Sequence, residues 1–219
     1  MKNIKNYNDP FILWAGPRTA STALFYSYAE NNNCPILEAS HEPINKKWPN
    51  PNELDILINQ GLSFKCMMYG YFHYAQKRVL KKLISDIPNL DYRHIVLYRK
   101  NLLDRFKSNV FSIANNVWTL EHVDKKTYEG WTKKYKEEIN EKLECCLREE
   151  TQLLDNSLEI IKILNEHNIP YQKIEFEEAC TYIGKDTSQN TSHYYDEFEI
   201  PDETKKLLKS LEDHEFYRM

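Results

Sequence analysis

Phe11-Ile12-Leu13-Trp14-Ala15 is an unbroken apolar run of five residues, stopped by Gly16-Pro17. A run this short is the length of a strand, and apolar side chains at every position require cover on both faces. Such a strand belongs inside a sheet with helices above and below. Gly16-Pro17 then turns the chain, and Ser21 or Thr22 is placed to cap a helix that Asn31-Asn32-Asn33 stops. The order strand, loop, helix recurs. Ser63–Met68 reads as a strand before a helical stretch over Tyr71–Ser85. His94–Tyr98 is the clearest strand, and a helix opened by Asn101 follows, with an apolar face of Leu102, Phe106, Val110 and Ile113.

Ile36–Ala39 is a further strand candidate, and residues 53–60 read as a short helix closed by Gly61. Thr127–His167 carries helical periodicity without a proline, in one long helix or two stacked ones. Pro170–Ile174 reads as a last strand, Glu175–Glu178 as an acidic helix start, and residues 184–196 as a polar loop. Pro201 opens a C-terminal helix to about Asp213. Alternating strands and helices predict an α/β fold with a mostly parallel central sheet flanked by helices. We read residues 1–219 as one domain, with a core at about 9–115, a helical segment at about 127–167 and a closing strand and helix at about 170–215.

Composition narrows the function. Lys+Arg 29 against Asp+Glu 33 leaves a net charge of −4, so no broad basic field invites nucleic acid or an anionic membrane. No apolar run approaches the ~18 residues of a spanning helix, and the first ten residues lack a signal-peptide core. Five cysteines without CxxC or zinc spacing suit reduced thiols in the cytoplasm and no metal site.

Two segments fall where a parallel sheet binds ligands, at the carboxyl ends of strands. Gly16-Pro17-Arg18-Thr19-Ala20-Ser21-Thr22 enters a helix, so backbone N–H groups, the Arg18 guanidinium and three hydroxyls can surround a phosphate-sized anion. It lacks the second Gly and the Lys of GxxxxGK[ST], which disfavours ATP hydrolysis. In the second segment Arg99 ends the His94–Tyr98 strand. Ser108 lies two helical turns further, on the side of Asn101 and Arg105, so that one phosphate can touch both Arg99 and Ser108.

Together these segments resemble the sulfotransferases that use 3′-phosphoadenosine 5′-phosphosulfate (PAPS). The resemblance implies the fold of that family, which is similar to the P-loop nucleoside triphosphatases. It also implies that Gly16, Pro17, Arg18, Thr19, Ala20, Ser21 and Thr22 hold the 5′-phosphosulfate, and that Arg99 and Ser108 hold the 3′-phosphate. His41-Glu42-Pro43, Phe64-Lys65-Cys66-Met67 and Ile174–Glu178 are similar to further segments of the bacterial carbohydrate branch. On that resemblance Glu42 is the base for the acceptor proton, with His41 and His73 as alternates, and Lys65 approaches the sulfuryl or leaving group. The implied acceptor is a small molecule or carbohydrate with a hydroxyl or amine, and no metal is required.

The chain departs from the family at three places. Ala20 replaces the usual loop Gly, which demands either a negative φ or a methyl that clears the donor. Phe176 stands where Tyr is usual. The basic C-terminal signature of animal cytosolic members is absent, with Lys185 or His193 as partial substitutes. Trp48, Tyr69, Tyr71, Tyr74, Trp118 and Trp131 supply core or acceptor-lining rings. A P-loop-like small-molecule kinase and an inactive nucleotide-binding protein are the competing readings.

Overall fold

The computed structural model describes residues 9–17, 19–37, 40–44, 51–68, 74–115, 125–184 and 200–219, with 51, 74–75, 111, 113–115 and 125–142 described by backbone alone. Four strands form one all-parallel sheet: β1 (Phe11–Ala15), β2 (Phe64–Met67), β3 (Arg93–Tyr98) and β4 (Tyr171–Glu175). Their order across the sheet is β2-β1-β3-β4. The unbroken apolar run is therefore internal, and every residue from Phe11 to Ala15 is fully buried. Each large side chain buried there contributes about 1.5–3 kcal/mol. β4, at the edge, is only half-buried along most of its length.

Helices α1 (Ser21–Asn31), α2 (Pro51–Asn59) and α3 (Tyr74–Asp86) lie between the first three strands in sequence, and α4 (Leu102–Asn115) and α5 (Lys125–Glu166) between the last two. The stretch from Thr127 resolves as one helix of 42 residues rather than two. After β4 come α6 (Phe176–Tyr182), α7 (Asp202–Leu211) and α8 (Glu215–Arg218), the last of which the sequence reading lacks. Asn101 caps α4 as its position predicts. Its Oδ1 accepts from Asp104 N at 3.1 Å, and its Nδ2 donates to Asp104 Oδ2 at 2.7 Å.

Two expectations need correction. Ile36 and Leu37 lie in no strand, while Glu38 and Ala39 lie outside the described residues; beside β2, among the described residues, stands a parallel bridge, His41 to Lys65. Pro35 and Pro43 bracket this stretch and remove donors that a ladder needs, and Pro43 restricts Glu42 before it. Nor does Ser21 or Thr22 cap α1. The cap residue is Ala20, with φ 54° and ψ 22° and no side-chain hydrogen bond.

Among the described residues no helix is long and apolar enough to cross a membrane. The residues 184–196 expected as a loop lie outside the described residues beyond Gly184.

Candidate functional site

Parallel pairing aligns the strand ends. Ala15 stands opposite both Met67 and Leu97, and Tyr98 opposite Glu175, so Gly16, Met68, Arg99 and Phe176 all follow at one carboxyl edge. The loop leaving β1 packs tightly there. A Cβ on Gly16 would lie 2.6 Å from Leu153 Cδ2 of α5, so the Leu153 side chain in its observed position fills the space that a larger residue would take. Thr19 is fully buried and its hydroxyl donates to Gly16 O at 2.7 Å, which closes the turn. Ser21 is also buried, with its hydroxyl 3.9 Å from Met67 Sδ. Arg18, the cation expected in this loop, lies outside the described residues.

Ala20 fails the first of its two conditions, because its φ of 54° is in the left-handed region. A methyl group there carries strain of about 1–2 kcal/mol that glycine would not. Ala20→Gly is therefore expected to raise stability by about 0.5–1 kcal/mol, after the larger chain entropy of unfolded glycine is subtracted. Urea unfolding should show a higher midpoint with an unchanged slope. A lower midpoint would mean that Ala20 is not strained.

Four of the expected site residues meet beside this loop. Lys65 is fully buried, and its Nζ lies 2.5 Å from Glu42 Oε1 and donates to Thr22 Oγ1 at 2.8 Å. His41 Nε2 lies 3.2 Å from Thr22 Oγ1 and 3.7 Å from Glu42 Oε1. The bridge between His41 and Lys65 sets this geometry, because it runs Glu42 alongside β2 while the Lys65 side chain reaches to the start of α1. Glu42, at φ 57°, is held in a strained conformation before Pro43. Burial lowers the Lys65 pKa, and Glu42 opposes that shift through its charge and hydrogen bond. Burial and the Lys65 charge lower the His41 pKa from 6.5, against a weaker pull from Glu42. His41 is therefore mainly the neutral imidazole at pH 7. His73, the third candidate base, lies outside the described residues.

The second segment is arranged differently from the simplest expectation. The Arg99 side chain is 12 % exposed and lies 3.7 Å from Asp104 Oδ2. That carboxylate is exposed and already held by Asn101, so the ion pair contributes less than about 1 kcal/mol. The guanidinium also lies over the Phe176 ring, its carbon 4.3 Å from the ring centre. The residue that replaces the family's Tyr thus supports Arg99 with its face. Ser108 is buried in α4, and Arg105 on the same side turns inward to a buried ion pair with Glu150 of α5.

Sequence reading missed Asn109. It is fully buried beside Ser108, and neither amide atom has a hydrogen-bond partner. Orphaned amides of this kind are rare in folded proteins, but no sequence pattern marks them.

Of the aromatic residues expected to line an acceptor pocket, Tyr74 and Trp131 fall in α3 and α5, and the others lie outside the described residues, as do Lys185 and His193. Among the described residues no group of His, Cys, Asp and Glu is placed to hold a metal. No protein-family model, curated protein or solved structure matches the chain.

Proposed function

We propose that this protein is a sulfotransferase that moves a sulfuryl group from PAPS to a hydroxyl or amine of a small-molecule or carbohydrate acceptor. The observation that carries the reading is the meeting of Lys65, Glu42, Thr22 and His41 beside the loop after β1. A buried cation, a carboxylate and a neutral imidazole at the carboxyl edge of a parallel sheet suit in-line transfer to an oxygen. PAPS supplies an activated sulfur; the acceptor oxygen bonds to it as the bond to the 5′-phosphate oxygen breaks.

Glu42 takes the acceptor's proton, and His41 is the alternate. Lys65, oriented by Glu42 and Thr22, stabilises charge on the leaving phosphate oxygen. Backbone N–H groups at the start of α1 and Arg18 hold the 5′ group. Arg99, supported by Phe176, holds the 3′-phosphate with Ser108. None of these roles calls for a metal.

The test is transfer of labelled sulfate from PAPS to a panel of sugars and phenols in the presence of EDTA. Product and adenosine 3′,5′-bisphosphate should form in equal amounts at a rate that EDTA leaves unchanged. A requirement for Mg2+, or ATP turnover faster than sulfate transfer, would assign the kinase reading instead.

A further inference from the structure

Helix α5 lies across the carboxyl edge of the sheet on successive turns. Ser157 contacts Met68 just beyond β2, its Oγ 3.5 Å from Sδ. Leu153 rests on Gly16 just beyond β1. Glu150 pairs with Arg105 on α4, the helix that follows β3. Glu149 stands one turn before Leu153 on the face that covers the Gly16 loop, and helical side chains lean toward the N-terminus, away from Leu153.

The Glu149 side chain is nine-tenths buried, at 6 % exposure for the residue. Its Oε1 has one feeble contact, the Cys145 thiol at 3.9 Å. Its Oε2 is buried with no hydrogen-bond partner. The charged and titratable groups that face it are Cys145 and Arg148 from α5 and Lys77 from α3. Neither cation is within ion-pair distance of it; Arg148 Nη2 stops 3.7 Å from Cys145 Sγ. Burial outweighs their fields and pushes the carboxyl up to about 8.

We propose that Glu149 anchors a protonated amine on the acceptor, so that the acceptor is a hydroxylated amine bound beside the loop that follows β1. An ammonium group supplies what the site lacks, a positive charge and donors for a bare oxygen. A neutral hydroxyl can pair with Oε2 of the protonated acid, but only an ammonium brings a charge that offsets the burial keeping the carboxyl protonated. The role of this amine as acceptor rests on the sulfotransferase reading; its binding does not. As the ammonium binds, Glu149 ionises and its proton passes to solvent, so one proton leaves per amine bound.

Calorimetry at pH 7 with two matched probe pairs, glucamine against sorbitol and tyramine against tyrosol, tests this. Titrations are run on the protein alone and with saturating adenosine 3′,5′-bisphosphate. At least one amine should bind about 10-fold or more tightly than its neutral partner. Two buffers of different ionisation enthalpy should reveal release of about one proton. Glu149→Gln keeps the shape of the protonated acid, so the variant should melt like the wild type while losing both the preference and the proton release. Glu149→Asp, which keeps an ionisable carboxyl, should retain part of the preference.

Equal binding of amine and neutral partner in both pairs, or a preference that survives in Glu149→Gln, overturns the proposal. Failure of the wild type to bind the bisphosphate would instead condemn the sulfotransferase reading, and an amine preference in the protein alone would still stand.

Discussion

Glu42→Gln is expected to lower sulfuryl transfer by about 10²–10⁴-fold, the range for loss of a general base. The amide keeps the shape of the side chain but cannot take a proton or balance the Lys65 charge at 2.5 Å. Lys65 is fully buried, so part of the effect is a loss of stability: breaking a buried ion pair from one side costs up to about 3–5 kcal/mol. A melt and a bisphosphate titration on the same sample separate the two effects. Bisphosphate affinity should change little, because that ligand needs the loop and Arg99. The wild-type rate should rise with pH through one ionisation, as the base loses its proton, and Glu42→Gln should remove that rise. If Glu42→Gln keeps near-wild-type turnover while His41→Ala abolishes it, the base is His41. Its inflection would then fall below 6.5, because burial and Lys65 lower the pKa of that imidazole.

Arg99→Ala is the second large effect. The guanidinium sits just past β3, over the Phe176 ring, with 12 % of its side chain reachable by solvent. A charge-assisted contact to a 3′-phosphate contributes about 1.5–3 kcal/mol, so the variant should bind adenosine 3′,5′-bisphosphate about 10–150-fold more weakly. AMP has no 3′-phosphate, and its affinity should be unchanged. Arg99→Lys should restore only part of the loss, because an ammonium group can neither present two parallel donors nor stack on the Phe176 ring in the same way. Loss of AMP and bisphosphate binding to the same extent would move Arg99 away from the 3′ end.

The sheet is legible because its internal strands are short, wholly apolar in β1 and apolar from Ile95 to Leu97 in β3, and followed by turn or cap residues. Phe11–Ala15 is observed with the bounds its composition predicts, and the observed Asn101 cap marks the start of α4. The expected strand at Ile36–Leu37 misleads for a physical reason. The apolar pair Ile36-Leu37 suits a strand, but prolines on either side disfavour a ladder, and among the described residues the pairing with β2 is the bridge at His41. The cluster at Lys65 was partly legible, since strand order at a carboxyl edge brings Thr22, Glu42 and Lys65 near one another. What joins distant positions was not. Arg99 on Phe176, Arg105 with Glu150 and Leu153 on Gly16 depend on how α5 and α6 pack, and local pattern carries no record of that. Ala20 illustrates the same limit, because the left-handed backbone that most residues avoid is imposed by the turn rather than announced by the residue.

The central claim is a donor site with two separated phosphate positions, one at the loop after β1 and one at Arg99. Calorimetric titration of the wild type with adenosine 3′,5′-bisphosphate, AMP and ATP tests it most directly. The account predicts that the bisphosphate binds about 10-fold or more tightly than either of the others, because only it places phosphates at both positions. Equal affinity for AMP and the bisphosphate, or tighter binding of ATP, would contradict it.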